Sequence, residues 1–388
     1  MDYEIIIVGA GPAGSAAAIS FAQKGRRVLL MDQSAFPRDK PCGDAVTPSG
    51  VGVLYRLGLK EKIRRARFQT VGAVRLVLPD RQELRIRFRA VDPGLTEMIA
   101  PRRVLDALLK DHAVESGAEF IQARATAIIT ENGRVAGVRT AAGGAAGEFR
   151  CRLLIGADGS GSTIARLLDG EARDPEDAVA IRGYFPNVDM DPGTAEIHLL
   201  RELWPEYAWI FPAGGNTANV GLGLSIGRYR KMKKNLKSIL SDFIHSPGNR
   251  ERFGGSFEMP DLQACMLKFY SPKRTRRAFD GALLIGDAAA LVNPLNGGGI
   301  VNALTSGIIA AGVADRALAE NNVSRERLRE YETALWKALG KELAVSYRIK
   351  KMTSSPAVME TAMKFVLANR SLISLAGRYY RDVEFRAG

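Results

Sequence analysis

The residues best suited to chemistry in this chain lie in glycine-rich stretches that follow apolar runs. Gly9-Ala10-Gly11-Pro12-Ala13-Gly14 has the spacing GxGxxG and comes directly after Glu4–Val8. In a strand–turn–helix unit Gly9 permits the tight turn, and Gly11 lets a pyrophosphate approach the backbone. Gly14 lets helix and strand pack closely, and the helix N-terminus offers free N–H groups to an anion. Asp32 stands 23 residues beyond Gly9, after a second apolar run, Arg27–Met31. A carboxylate there can accept from both hydroxyls of a ribose. It disfavours a 2′-phosphate, so FAD or NAD suits the site better than NADP. A ligand-free glycine turn is the bland alternative, and Asp32 argues against it.

Three later stretches select flavin. Leu153-Leu154-Ile155-Gly156-Ala157-Asp158-Gly159 is a buried strand ending in Asp-Gly, and Ala282-Leu283-Leu284-Ile285-Gly286-Asp287 is another ending in Gly-Asp. Carboxylates at such strand ends, Asp158 and Asp287, suit the ribityl hydroxyls of a flavin. Asn293-Pro294-Leu295-Asn296-Gly297-Gly298-Gly299-Ile300 is a glycine-rich loop opening a helix. Its N–H groups would face ring atoms where negative charge grows on reduction. Each stretch alone reads equally as a turn or cap; their order points to one cofactor.

These residues need a frame of alternating strands and helices. The chain has 388 residues, 46% hydrophobic and 25% charged, with 55 Lys+Arg against 42 Asp+Glu for a net charge of +13. That composition excludes whole-chain disorder, a collagen-like repeat and a pure coiled coil. The expected fold is α/β. A Rossmann-like FAD-binding domain (1–75, 100–180 and 271–335) is interrupted by an antiparallel β-rich substrate domain (76–99 and 181–270), and a helical C-terminal region (336–388) follows. Thr47-Pro48 reads as a helix start, Pro101–Gly117 as a helix, and Ala125–Val138 and Phe149–Ile155 as strands around a Gly143–Gly144 turn. In Val220–Ile226 the residues Val220, Leu222, Leu224 and Ile226 share one face, and Gly221, Gly223 and Ser225 the other.

Three cysteines (Cys42, Cys151, Cys265) and three histidines (His112, His198, His245) form no disulfide framework and no CxxC or HxxxH spacing, so no metal is expected. No secretory leader pattern or apolar run of about 18 residues occurs, which makes a reducing cytoplasm the expected location. The Lys/Arg patches (Lys60–Arg67, Arg228–Lys237, Lys273–Arg277) lack a zinc or helix-turn-helix pattern beside them, so nucleic acid is not expected. An anionic membrane surface, an anionic substrate or plain solubility each account for them.

The order of dinucleotide fingerprint, DG and GD motifs resembles the FAD-dependent oxidoreductases of the p-hydroxybenzoate hydroxylase fold. More specifically the chain resembles the geranylgeranyl reductase family, through Phe36-Pro37-Arg38-Asp39-Lys40-Pro41-Cys42-Gly43-Asp44, Tyr207-Ala208-Trp209-Ile210-Phe211-Pro212 and Gly286–Ala289 with Asn293-Pro294. Two positions depart from the family pattern. Pro205 stands two residues before Tyr207 rather than three, and Gly298 stands where many relatives carry Glu.

The resemblance implies FAD contacts for Ala13, Asp32, Cys42, Gly43, Arg102, Ala125, Asp287, Gly299 and Ile300, with Arg103 the alternative to Arg102. It also implies hydride transfer from reduced flavin to an isoprenoid double bond, with a proton added at the other carbon. Cys42 is the candidate proton donor or orienting group, with Asp44 second to it; packing against the flavin is the plain alternative for Cys42. Tyr207, Trp209 and Phe211 alternate on one strand face, either as ordinary sheet packing or as the wall of a greasy substrate chamber.

A monooxygenase or halogenase of the same fold is the first rival, although Tyr207–Pro212 does not match the Trp-x-Trp-x-Ile-Pro stretch of such halogenases. A non-catalytic flavin or prenyl-lipid binding protein is the second. The electron donor is NAD(P)H, bound transiently since no second fingerprint exists, or a ferredoxin-type carrier. Basic C-terminal helices with Tyr379 and Tyr380 are the expected contact with a membrane surface.

Overall fold

The computed structural model describes residues 2–88, 95–141, 146–170, 174–255, 259–355, 358–359, 361 and 380–386. The first sheet is built from the apolar runs. Tyr3–Val8 pairs in parallel with Val28–Asp32 on one side and Gly147–Gly156 on the other. Glu119–Gln122 and Ala282–Leu284 extend the two flanks in parallel. Tyr3–Val8 and Val28–Asp32, at its centre, are largely buried, which is why they read as unbroken apolar runs. The carboxyl ends of the four strands from Val28–Asp32 across to Ala282–Leu284 therefore lie side by side. Ligands of such sheets collect there, where strand order reverses.

The 20-residue helix Ile300–Ala319 packs along the Pro12–Ala22 helix. The expected Thr47 cap starts its helix, Pro48–Arg56, but its hydroxyl pairs with Ser49 Oγ rather than with a backbone N–H. Pro101–Gly117 is helical from Arg102 to Glu115. Ala125–Glu131 and Arg134–Thr140 form a hairpin against Gly147–Gly156, and the expected Gly143–Gly144 turn lies outside the described residues.

The second sheet has eight strands among the described residues. Its order is Gln263–Leu267, Ala178–Phe185, Thr217–Ser225, Ala208–Gly214, Thr194–His198, Ala73–Val77, Glu83–Phe88 and Tyr380–Arg386. It is antiparallel except where Thr194–His198 runs parallel to Ala73–Val77. Both Ala73 and Ala178 stand three residues ahead of the expected changeovers at 76 and 181. Val220, Leu222, Leu224 and Ile210 pack behind this sheet with Ile239, Leu240, Phe243 and Ile244 of the Leu236–Ile244 helix. A small sheet of Ala45–Val46, Glu97–Ile99 and Gln69–Val71 joins the two halves.

The C-terminal tail corrects one expectation. It is helical through Lys341–Met352, but Tyr380–Arg386 is a strand pairing antiparallel with Glu83–Phe88. Val383 and Phe385 alternate with Glu384 and Arg386, a period of two that suits a sheet edge with unpaired N–H and C=O groups. Tyr379 lies outside the described residues. Among those described, no helix is long and apolar enough to cross a membrane.

Candidate functional site

One cavity of about 570 Å³ runs from the carboxyl ends of the parallel strands to the front of the second sheet. Gly9, Gly11, Ala13, Asp32, Cys42, Gly43, Arg102, Ala125, Asp158, Tyr207, Trp209, Phe211, Asp287, Pro294, Gly299 and Ile300 all line it. Gly14, Asp44 and Arg103, also singled out from sequence, stand back from the wall. A Cβ on Gly14 would come within 1.8 Å of the Gly9 carbonyl oxygen, so its part is to let helix and turn pack. Gly9 has φ +106°, and a Cβ there would press on the Ala157 carbonyl at 2.3 Å.

Asp32 is 8% exposed. Its two oxygens accept from the N–H groups of Ala10 and Ser34, both at 2.9 Å, which fixes the carboxylate across the end of the turn. Beyond Gly11, Arg102 holds Asp106 with two bonds of 2.7 Å, and Arg38 Nη1 reaches the same carboxylate at 2.7 Å. Two guanidiniums thus share one carboxylate, and Arg38 Nη2 also lies 3.8 Å from Asp32 Oδ2. Arg38 Nη2 and Arg102 Nη2 lie 3.4 and 3.9 Å from the point a Gly11 Cβ would occupy. Arg102 is 4% exposed and lines the cavity, while Arg103 faces solvent. Burial raises the Asp106 carboxyl, but Arg102 and Arg38 outweigh it and hold it ionised, below its ordinary value.

Farther along, Lys40 Nζ sits 3.0 Å from Asp287 Oδ2. Burial works against the Asp287 carboxylate, but Lys40 and Arg102 prevail and keep its pKa low. Asp287 Oδ1 is also 3.4 Å from a Gly299 Cβ position, at the start of the long helix, where first-turn N–H groups have no intrahelical acceptor. Asp158 differs from its expected part. Ser162 Oγ and the N–H groups of Thr163 and Ile164 occupy its carboxylate, so it caps the Thr163–Asp169 helix from the cavity wall.

The front of the second sheet is ordered in rows by its register. Phe211, Asn219 and Tyr184 form one row, and Trp209, Gly221 and Arg182 the next. Gly223, Ala180 and Cys265 follow, then Ser225, Ala178 and Leu267. Tyr207, Trp209 and Phe211 stand side by side, with ring centroids 6.2 and 6.3 Å apart. A Cβ on Gly221 would meet Trp209 at 2.4 Å, so this glycine makes room for the indole. A Cβ on Gly223 would find nothing nearer than 3.8 Å. The aromatic rings therefore serve both readings: they pack on the sheet and line the cavity. Tyr207 also donates its hydroxyl to the Asn296 carbonyl at 2.7 Å, joining this sheet to the glycine loop.

Cys42 is half-buried beneath these rings. Burial, and after it the Asp44 carboxylate, push its thiol upward, so it stays protonated near neutral pH. Cys265 also faces the cavity, with Sγ 3.7 Å from the Pro41 carbonyl, whereas Cys151 is fully buried in the parallel sheet. Lys350 and Glu206 form a buried ion pair at 2.7 Å beside the cavity. On the same helix as Lys350, Ser346 and Glu342 hold Asn293 of the glycine loop.

Sequence reading missed Arg38, Lys40, Asn219 and Glu206. Arg38 and Lys40 were visible beside Cys42 as cations in a cofactor-linked stretch. Asn219 and Glu206 carried no local signal.

These parts fit an FAD. The cationic pair at Gly11 matches a pyrophosphate, Asp32 a ribose diol, and Asp287 beside a helix N-terminus the ribityl and ring end. Fold and site thus define a flavin-dependent oxidoreductase. An FAD binding domain model matches residues 2–203, and a geranylgeranyl reductase catalytic domain model matches residues 177–255. Menaquinone reductase of Mycobacterium tuberculosis (strain ATCC 25618 / H37Rv) is 32% identical over 97% of this chain and 90% of its own. Digeranylgeranylglycerophospholipid reductase of Methanoculleus marisnigri is 32% identical over 90% and 86%. A geranylgeranyl bacteriochlorophyll reductase-like protein from Thermoplasma acidophilum superposes with a TM-score of 0.80 at 26% identity, over 92% of this chain and 89% of that one. The chain belongs to the geranylgeranyl reductase family. The halogenase CndH shares the fold alone, at 22% identity and a TM-score of 0.75 over 88% and 81%.

Proposed function

We propose that this protein hydrogenates carbon–carbon double bonds in the isoprenoid chain of a lipid, quinone or diphosphate. The observation that carries this reading is the continuity of the cavity. A cationic cradle at Gly11 opens into a front of Gly223, Ala180, Ala178, Leu267 and Phe269, small or apolar residues with no charge of their own. Each CH₂ buried against such a wall contributes about 0.8 kcal/mol, so a polyprenyl chain binds by area.

Bound FAD, once reduced by NAD(P)H or a ferredoxin-type carrier, supplies the hydride for one alkene carbon. The protein's own part is to hold the chain against the aromatic row, exclude water and keep a proton on Cys42 Sγ for the other carbon. Arg38, Arg102 and Asp32 anchor the cofactor at a distance from that carbon. Anaerobic mixing of the dithionite-reduced holoprotein with a geranylgeranyl lipid tests this. Flavin reoxidation with a product heavier by two hydrogens per bond is the expected result. Reoxidation only on admission of oxygen, with a hydroxylated product, would replace the reading by the monooxygenase.

The substrate's lipid nature favours a peripheral position at the cytoplasmic membrane face. Val345, Ile349 and Met352 are 52%, 40% and 74% exposed at helical spacing on the Lys341–Met352 helix. Lys341, Arg348 and Lys351 stand among them, which suits an anionic bilayer surface. Flotation with anionic vesicles is expected for the native chain and lost on replacing the three apolar residues by Ser. Equal flotation of both would remove this face from the proposal.

A further inference from the structure

Asn219 is 0% exposed and uses its whole amide. Its Oδ1 accepts from Trp209 Nε1 at 2.9 Å. Its Nδ2 donates to the Cys42 carbonyl at 2.7 Å and to Asp44 Oδ2 at 2.8 Å. Two donors and one acceptor are all that a primary amide brings, apart from a second lone pair. Asp44 in turn is 0% exposed and takes the Tyr184 hydroxyl at 2.5 Å on the same oxygen. Its own N–H points at Cys42 Sγ, 3.3 Å away, from a backbone with φ +64°. Among the described residues Asp44 Oδ1 has no hydrogen-bond partner, so the Asp44 carboxylate is held through Oδ2.

The Cys42–Asp44 loop belongs to the cofactor half of the molecule, and Trp209, Asn219 and Tyr184 to the second sheet. No other residue described above bonds at once to that loop and to the aromatic row. We infer that Asn219, with Asp44 as its anchor, is a positioning residue that sets the Cys42 thiol against the Trp209 wall. The inference rests on the proposed alkene reduction. Displacement of a reacting group by about 1 Å costs on the order of 100-fold in rate.

The groups facing the thiol are Asp44 from its own loop, Lys40 and Arg102 from the cofactor side, and Tyr207 and Cys265 from the sheet. Asn219 carries no charge of its own, but its bond helps hold the Asp44 carboxyl down; the comparison is therefore made at pH 8.5 or above, where Asp44 stays ionised and the exchange reads position.

The test compares native holoprotein with Asn219→Leu, Asp44→Leu and Asp44→Asn in single-turnover anaerobic reoxidation by a geranylgeranyl lipid. Alkylation of Cys42 by iodoacetamide, read by mass spectrometry on the FAD-free chain, is the second readout. Asn219→Leu and Asp44→Leu are expected to slow reoxidation by about 10- to 100-fold while FAD stays bound. Cys42 alkylation should become at least about fivefold faster as the loop is freed. Asp44→Asn, which keeps an oxygen for Asn219 and Tyr184, should recover most of the lost rate. Reoxidation within twofold of native in both Leu variants overturns the inference. So does a lost rate with Cys42 alkylation unchanged, because Asn219 would then act by some other route. Should a Leu variant fail to fold, Trp209→Phe and Tyr184→Phe each remove one bond at the edge of the network. Both must then slow the reaction by at least about threefold for the inference to stand. A native protein that reduces no alkene defeats the underlying function instead, and that outcome is distinct.

Discussion

Charge is handled in opposite ways at the two ends of the cavity. Around Gly11 the ions face inward, with Arg38 and Arg102 sharing Asp106 and Lys40 pairing Asp287. In the second sheet the strongest ionic cluster is turned away. Glu196 lies on the same side of its strand as Ile210, behind the sheet, bound by Arg252 at 2.6 Å and Arg75 at 2.7 Å. Ile197 and Trp209 take the cavity side. Glu206, which does reach the cavity, is neutralised by Lys350. One end is therefore built to hold an anion, while at the other the cavity-facing charges are paired, Glu206 with Lys350 and Arg182 with Asp39. The two ends recognise by charge and by area respectively.

The contrast can be broken most severely at Arg102. Arg102→Ala leaves Asp106 buried with only Arg38, and breaking a buried pair costs about 3–5 kcal/mol. FAD affinity should fall by a factor on the order of 100 or more, read as flavin absorbance per protein, while solvent-facing Arg103→Ala leaves it unchanged. Equal losses in both would mean that the cradle works by general basic charge.

Glu196→Gln removes the charge that Arg252 and Arg75 share. Stability should drop by about 2–4 kcal/mol in urea melts of the holoprotein, with FAD affinity of the folded protein intact. Loss of flavin in step with stability would deny that the reverse of the sheet is separate from the cradle.

Asp44 sharpens the comparison through pH. Burial pushes its carboxyl up to about 6 from 3.8, against the pull of Tyr184, Arg182 and Asn219. The folded state then binds more protons than the unfolded one between these values. Its contribution is full below pH 4, falls as pH rises toward 6 and is lost above. About two pKa units correspond to roughly 2–3 kcal/mol. Asp44→Asn should therefore match native stability at pH 4 and exceed it by up to that amount at pH 7.5. A constant difference at both pH values would show that Asp44 is not the titrating group.

The smallest effect is expected at the second-sheet end. Gly223→Val places methyls in open cavity space and should raise KM for a long prenyl chain about tenfold, roughly 1–2 kcal/mol, with FAD binding unaltered.

The cofactor end was readable from sequence because its requirements are local. The turn Gly9–Gly14, the strand-end acids and the Asn293–Ile300 loop each carry their meaning within a few neighbours. Strand-end Asp-Gly serves equally as a helix cap, and Asp158 lines the cavity while its carboxylate takes Ser162 Oγ and the N–H groups of Thr163 and Ile164. The nodes of the second half depend on approach across the chain. Asn219 meets Cys42 over 177 residues, and at the cofactor end Lys40 likewise meets Asp287 over 247; no spacing rule encodes either. The terminal strand Tyr380–Arg386 was taken as helix because its partner, Glu83–Phe88, lies nearly three hundred residues earlier.

The Lys341–Met352 helix has a consequence for how this molecule tolerates insertions and deletions. Glu342, Ser346 and Lys350 recur every fourth position and grip the Asn293 loop and Glu206, while Val345, Ile349 and Met352 look outward. A wide five-residue π turn, Trp336–Gly340, precedes them and sets their phase. Inserting one residue into that turn would rotate everything downstream by about 100° and put Val345 and Ile349 where Ser346 and Lys350 stand. Both grips would let go together and the greasy stripe would swing toward the cofactor loop, a lesion that no single side-chain exchange reproduces.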